Sequence, residues 1–284
     1  MAATGKNNQG KNDSKRNNLK KNATDFKEKI SNGEPMRLNK FLSDAGVCSR
    51  RQADRYVEQG RILVDGEPAQ MGQKVHAGQD IRVDGKRVSV SRKQIVLAVN
   101  KPKGIVCTTE KREKDNIVDF IGYPERIYPV GRLDKDTEGL LLITDDGALA
   151  HELLSPKKHV DKTYYAVTDG CVTKEDVQRF AEGLEIGEKN PTMPAKLEIL
   201  RTRKVEETEL EQYPSGWSSE IQLTIKEGKF HQVKRMTEAV GKKVVYLKRI
   251  SMGVLTLPDD LKKGECRQLT AEEEKKLKDS IGRS

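Results

Sequence analysis

The chain has 284 residues, enough for two domains of ordinary size, each with its own core. Lysine and arginine number 53 against 44 aspartates and glutamates, and the resulting net charge of +9 favours a polyanionic partner without establishing one. No apolar run approaches the ~20 residues of a membrane helix, and the N-terminus lacks the apolar core of a signal peptide, so we expect a cytoplasmic protein without membrane association.

The cysteines and histidines argue against a metal centre or a disulfide framework. The four cysteines lie far apart with no Cys-x-x-Cys pair, and the four histidines are equally scattered. No glycine-rich phosphate-binding loop is present. We therefore expect a reducing compartment and no metal, nucleotide or other cofactor.

Residues 1–35 are dominated by Asn, Lys, Gly and Ser, with few large apolar side chains. Such a segment buries too little surface to offset the entropy of ordering it. It is predicted to be a disordered basic arm, which either extends the contact with a polyanion or keeps the chain in solution.

Two short helices open the next segment. Apolar residues spaced i, i+3, i+4 and i+7 from Leu38 predict a helix that ends near Gly46. Ser49 starts the second helix, where Gln52 is placed to complete a capping box, and Gly60 is placed to end it.

Short strands follow these helices. The apolar runs Ile62–Val64 and Ile81–Val83 are each followed by Asp-Gly, a strong hairpin signal. Together with the helices they predict a compact unit that ends near residue 85. A linker over 88–93 completes this domain, which we place at residues 36–93.

A basic cluster lies in and beside the two helices. Lys40 alone would be an ordinary solvated side chain, whereas Arg50, Arg51 and Arg55 together favour phosphate contact. The stretches 37–42 and 48–54, which carry these residues, resemble the RNA-binding domain shared with the ribosomal protein S-four family. That resemblance implies RNA binding through the four basic residues but not catalysis, because the domain occurs in enzymes and non-enzymes alike.

Residues 94–284 are predicted to form a second, α+β domain with a mixed, largely antiparallel sheet. Strands and helices alternate here without a regular βαβ rhythm. The predicted strands are 95–99, 140–144, 163–167, 197–201, 221–225 and 244–247, and the predicted helices are 148–154, 175–184, 231–240 and 271–279.

The block at 131–147 is the most informative part of the chain. Asp134 lies in a turn just before Leu140–Ile143, a short aliphatic run typical of a strand buried on both faces. An isolated Gly-x-x-Asp is usually only a turn or a cap. The whole block, however, resembles the signature of the ribosomal RNA pseudouridine synthases of the RsuA type, whose GRLD aspartate is catalytic.

Three further assignments rest on this resemblance. It implies that Asp134 is the catalytic residue and that Arg132 helps to fill the space vacated by a flipped base. A plain salt bridge between Arg132 and Asp134 is the alternative. The stretch Lys162-Thr163-Tyr164 is similar to the second family motif, whose tyrosine stacks on the uracil. Tyr165 is expected on the opposite face of the strand.

The third motif spans 227–236, Glu-Gly-Lys-Phe-His-Gln-Val-Lys-Arg-Met. The resemblance implies that Lys234 pairs with the catalytic aspartate. It also places Lys229, His231 and Arg235 beside the RNA, although a basic helix face without a binding role would look the same. Lys229 and Lys234 replace frequent family arginines, which keeps the charge but loses the bidentate fork.

Taken together, the motifs predict a monomeric pseudouridine synthase that isomerises one uridine in ribosomal RNA or in an assembling ribosomal subunit. The stretches 115–120 and 48–51 look closer to the large-subunit members, whereas the third motif is RsuA-like, so a small-subunit target stays an alternative. Two other classes are weighed against this one: a non-catalytic RNA-binding assembly protein, and a glycosidase-like hydrolase that would release free uracil.

Overall fold

The computed structural model describes residues 35–76, 78–88, 94–110 and 112–282. The predicted basic arm lies outside the described residues, apart from Pro35, and so does most of the predicted linker. Contacts between residues divide the chain into two units, 1–94 and 95–284, which we call the N-terminal and C-terminal units.

The N-terminal unit packs two helices against short strands. The helices are α1 (Leu38–Asp44) and α2 (Arg50–Glu58). The strands are β1 (Met36–Arg37), β2 (Ile62–Val64), β3 (Glu67–Pro68), β4 (Lys74–Val75), β5 (Ile81–Val83) and β6 (Lys86–Arg87). Strands β3-β2-β5-β6 form one antiparallel sheet, and β1 pairs with β4.

Local sequence signals account for most of this unit. Both predicted hairpins are present, and Asp65 and Asp84 adopt the left-handed conformation that a tight Asp-Gly turn requires. Ser49 caps α2 by accepting a hydrogen bond from the Gln52 amide, as predicted. The capping box is nevertheless incomplete, because the Gln52 side chain donates to the Tyr56 hydroxyl 2.8 Å away instead of returning to the cap.

The C-terminal unit is built on a sheet in the order β11-β12-β10-β13-β9-β7-β15. Its strands are β7 (Val96–Lys101), β8 (Tyr128–Pro129), β9 (Glu138–Thr144), β10 (Lys162–Asp169), β11 (Lys196–Lys204), β12 (Trp217–Ile225), β13 (Lys243–Met252), β14 (Leu255–Thr256) and β15 (Cys266–Gln268). Its helices are α3 (Ile117–Ile121), α4 (Gly147–Leu154), α5 (Lys174–Glu182), α6 (Gln232–Ala239) and α7 (Ala271–Ser280). Neighbouring strands are antiparallel except β9 and β13, so the mixed, largely antiparallel α+β fold is confirmed.

The sheet buries apolar side chains on both faces around β9. Leu141 and Ile143 pack into one core with Tyr164, whereas Leu140 and Leu142 pack into another beneath α4 and α7. All four side chains are fully buried, which agrees with the continuous aliphatic run. Because both faces of β9 are buried, the position of the start of this strand is fixed, and so is the position of the turn that precedes it.

Candidate active site

The turn that carries Asp134 connects β8 to β9. Lys101, at the end of β7, donates hydrogen bonds to the backbone of this turn. The Lys101 side chain is fully buried, and its Nζ donates to the carbonyl oxygens of Thr137 (2.8 Å), Pro102 (3.0 Å) and Asp134 (3.1 Å). The Lys135 carbonyl lies 3.3 Å away and also accepts from the Gly104 amide. One ammonium therefore organises the backbone of the whole turn.

Burial lowers the pKa of Lys101, and the attraction of nearby acidic groups only partly opposes this effect. Sequence patterns do not identify Lys101, because their only signal is a lysine two residues after the predicted strand 95–99.

The Asp134 carboxylate lies between two basic residues of the third motif. One oxygen is 3.6 Å from His231 Nε2 and the other is 3.5 Å from Lys234 Nζ. The carboxylate is 29% exposed, so a substrate can reach it while it stays beside both groups. The expected pairing of Lys234 with Asp134 is therefore present as a close ion pair.

Lys234 makes its shorter contacts to a second carboxylate, Asp136. Its Nζ donates to the two Asp136 oxygens at 2.7 and 2.8 Å. Burial acts to raise the pKa of Asp136, but the hydrogen bond and charge of Lys234 outweigh it, so the pKa is lowered overall. No motif described above includes a role for Asp136. Lys234 is thus shared between Asp136 and Asp134, which lie 98 and 100 residues earlier in the chain.

Six of the seven site residues predicted in this unit line one pocket: Arg132, Asp134, Tyr164, Lys229, His231 and Lys234. Apolar side chains complete the lining, among them Leu133, Ile225, Val233 and Leu247. A pocket with an apolar wall, one carboxylate and several cations suits an uncharged planar base attached to an anionic backbone. Arg235 does not line it.

The two tyrosines of the second motif separate as predicted. Tyr164 is 8% exposed and lies in the wall of the pocket. Tyr165 points to the opposite face of β10, where its hydroxyl donates to Glu220 at 2.8 Å. Burial and the hydrogen bond to this carboxylate raise the pKa of Tyr165 to about 12. Of these two tyrosines, therefore, only Tyr164 lies where it can contact a molecule bound at Asp134.

The alternative salt bridge between Arg132 and Asp134 is absent. Within the described residues Arg132 is exposed, and the ion pairs of Asp134 go to His231 and Lys234 instead. An exposed guanidinium at the rim is available for stacking or phosphate contact.

Two residues expected to contact RNA are engaged with the protein. Lys229 Nζ donates to the carbonyls of Asn190 and Pro191, both at 2.8 Å. Arg235 donates to Glu188 at 2.7 Å and to the carbonyl of Phe230 at 3.1 Å. In this structure both cations fix the loop around the third motif, and a contact with RNA would have to share or replace these bonds.

The basic cluster of the N-terminal unit is divided in the same way. Lys40 forms an ion pair with Asp44, one helical turn away. Arg50, Arg51 and Arg55 are exposed on α2 and have no ion pair within the described part of the unit. Three unpaired guanidiniums on a nine-residue helix provide a suitable surface for phosphates.

Within residues 35–76, 78–88, 94–110 and 112–282, no group of His, Cys, Asp or Glu is arranged to hold a metal ion. None of the helices in these ranges is long and apolar enough to cross a membrane.

Comparison with known families decides the identity of the C-terminal unit. Residues 95–239 match the model described as RNA pseudouridylate synthase, and residues 36–81 match the S4 domain model. The chain belongs to the RNA pseudouridylate synthase family. It is accordingly an RNA pseudouridine synthase, an isomerase, with an S-four-type domain at its N-terminus.

Relatives confirm the resemblance to the RsuA type. The chain is 44% identical to the uncharacterized RNA pseudouridine synthase YtzG of Bacillus subtilis, over 84% of this chain and 96% of the relative. It is 38% identical both to the ribosomal small subunit pseudouridine synthase A of Yersinia pestis (84% and 96% covered) and to the ribosomal large subunit pseudouridine synthase B of Bacillus subtilis (85% and 95%). A crystal structure of a pseudouridylate synthase matches with a TM-score of 0.60 and 35% identity, over 85% of this chain and 99% of that one.

Proposed function

We propose that this pseudouridine synthase isomerises one specific uridine of ribosomal RNA, in the large subunit, with Asp134 as the catalytic residue. The observation that carries the proposal is the position of Asp134. Its partly exposed carboxylate lies between Lys234 and His231 in a pocket whose wall includes Tyr164. Among the described residues, no other carboxylate lines this pocket.

The reaction is an isomerisation that needs no external oxidant or reductant. The bond between C1′ of the ribose and N1 of uracil breaks, the detached base turns, and a bond forms between C1′ and C5. The proton on C5 is released and N1 gains one, so the composition of the RNA is unchanged. The base must first leave its stack to enter the pocket.

Each of the seven site residues predicted in the C-terminal unit has a role in this scheme. Asp134 acts on the ribose beside the glycosidic bond, and Lys234, paired with it at 3.5 Å, orients its carboxylate. Tyr164 packs against the uracil, and Arg132 occupies the stack that the base has left. Lys229, His231 and Arg235 shape the rim toward the RNA backbone.

Phosphate contacts of the N-terminal unit supply affinity rather than chemistry. Arg50, Arg51 and Arg55 bind backbone phosphates, with Lys40 beside them, so binding weakens as salt rises.

We propose that the enzyme works as a monomer in the cytoplasm. The four cysteines support a reducing compartment, because none of them forms a disulfide.

A large-subunit target rests on the resemblance of the stretches 115–120 and 48–51 to large-subunit enzymes. The named relatives include enzymes for each subunit at equal identity. Mapping the modified site therefore tests the proposal directly.

The test uses cells that lack the gene, complemented with the wild type, Asp134→Asn or Asp259→Asn. Asp259 is an exposed carboxylate outside the pocket and serves as the matched control. Pseudouridines in both rRNAs are mapped by carbodiimide adducts that stop reverse transcriptase. We expect one large-subunit site to be lost in the deletion, restored by the wild type and Asp259→Asn, and reduced at least ~100-fold with Asp134→Asn.

The other outcomes separate the alternatives. A lost site in small-subunit rRNA would correct the target but keep the chemistry. Full rescue by Asp134→Asn would refute the role of Asp134, and the absence of any lost site would leave an RNA-binding protein. Release of free uracil in vitro would indicate a hydrolase.

A further inference from the structure

Phe230 is the most exposed of the large apolar side chains in the described residues, with 65% of its surface accessible. Burying a phenylalanine stabilises a folded protein, and most of that stabilisation is forgone here. One face of the ring stacks on His231, with ring centroids 3.8 Å apart and an angle of 19° between the planes. The opposite face remains open.

This ring pair lies directly beside the reacting carboxylate. His231 Nε2 is 3.6 Å from Asp134, and Phe230 stacks on the ring of the same histidine. Phe230 does not itself line the pocket, whereas Tyr164 does. The two aromatic side chains thus occupy different positions, one inside the pocket and one at its edge.

The backbone of Phe230 is held in place without substrate. Its carbonyl accepts a hydrogen bond from Arg235 at 3.1 Å, and the amide of Lys229 donates to the Gln232 side chain at 2.9 Å. His231 adopts a left-handed conformation, with φ of 49°, directly before α6. An aromatic ring fixed by such contacts loses little entropy when a planar ligand stacks on it.

We propose that the Phe230–His231 pair is a stacking platform for an RNA base next to the isomerised uridine. The proposal rests on the proposed function, since it assumes that the target uracil enters the Asp134 pocket. Base–aromatic stacking tolerates any base, and single-stranded RNA at the pocket would present its neighbouring base at this edge. The cations Arg132, Lys229 and Lys234 of the pocket favour a polyanion over a protein as the occupant.

The first test compares Phe230→Ala, Phe230→Leu and Phe230→Trp with the wild type. Phe120→Ala, at an exposed phenylalanine of the same unit, is the matched control. Ribosomal RNA from cells lacking the gene is the probe, and binding is measured by filter retention in parallel with single-turnover pseudouridine formation. We expect the alanine and leucine variants to bind on the order of five- to 150-fold more weakly, and the tryptophan and control variants to bind like the wild type.

The second test identifies the base. In an RNA fragment around the mapped site, each nucleotide flanking the uridine is made abasic in turn. At the stacked position the abasic substitution weakens binding by the wild type but not by Phe230→Ala, so the two changes are not additive.

Failure of this inference is distinct from failure of the proposed function. If Phe230→Leu binds as well as the wild type, or if every abasic effect adds to that of Phe230→Ala, the platform is refuted even though the wild type forms pseudouridine. If the wild type forms none, the proposed function fails, whereas the binding comparison still decides the platform.

Discussion

We expect the substitution Lys101→Met to lower the stability of the enzyme and to disturb the turn that carries Asp134. Methionine fills a similar apolar volume, so the substitution removes the ammonium without leaving a large cavity. Four carbonyl oxygens then lose their donor. Those of Asp134 and Lys135 keep a backbone amide, from Thr137 and Gly104 respectively.

The carbonyls of Pro102 and Thr137 lose the donor that the described structure gives them. Leaving a buried acceptor such as the Thr137 carbonyl unpaired costs ~1–3 kcal/mol, and the Pro102 carbonyl adds less because it is only partly buried. Removing a buried charge recovers part of that cost, because the ammonium is itself costly to desolvate. We expect a net loss of about 1–3 kcal/mol in the free energy of unfolding.

Urea unfolding followed by tryptophan fluorescence measures this loss. The only tryptophan of the chain, Trp217, lies on β12, so its emission reports the C-terminal unit alone. Lys114→Met, at an exposed lysine, is the control and should change stability by less than ~0.5 kcal/mol. Because Lys101 holds the turn of Asp134, kcat should fall more than KM rises.

A Lys101→Met enzyme with wild-type stability and wild-type kcat would refute this reasoning. It would mean that the turn keeps its shape through its backbone hydrogen bonds alone. A loss of stability with an unchanged kcat would support the stabilising role of Lys101 and refute its effect on the turn that carries Asp134.

Two further predictions concern contacts between neighbouring strands of the sheet. We expect Gly139→Ala to prevent stable folding, because the φ angle of Gly139 is 98° and an added Cβ would overlap the carbonyl oxygen of Arg249, where β9 pairs with β13. Solubility and circular dichroism of the variant test this expectation. The raised pKa of Tyr165 predicts a fall in stability between about pH 10 and about pH 12, since the folded state there retains a proton that the unfolded chain loses. Thermal unfolding should show a smaller fall for Tyr165→Phe, and an equal fall in both proteins would contradict the assignment.

Periodicity and turn chemistry were sufficient to predict the main elements of the fold. Predicted bounds of the long helices differ from the observed ones by one or two residues, as for α5, predicted at 175–184 and found at Lys174–Glu182. The short elements α3, β8 and β15 were not predicted. Each of them has few residues, and β8 and β15 also depend on pairing with β9 and β7, which local patterns do not encode.

The site was predicted through its motifs, and its supporting contacts were not. Asp134, Tyr164 and Lys234 lie together as the motif resemblance implied. Lys101 and Asp136 were missed because their roles arise from three-dimensional proximity: a buried ammonium under a turn, and a second acid beside a shared lysine. Single-sequence patterns specify neither contact.

The parallel pairing of β9 with β13 joins two segments that are made at different times during synthesis. It joins residues 138–139 to residues 248–249, so β9 can pair with β13 only after residue 249 has been made. A chain emerging from the ribosome carries Asp134 long before it carries Lys234 or β13. The unfinished chain therefore exposes the Asp134 carboxylate without His231 and Lys234, the two basic residues that lie beside it in the folded unit.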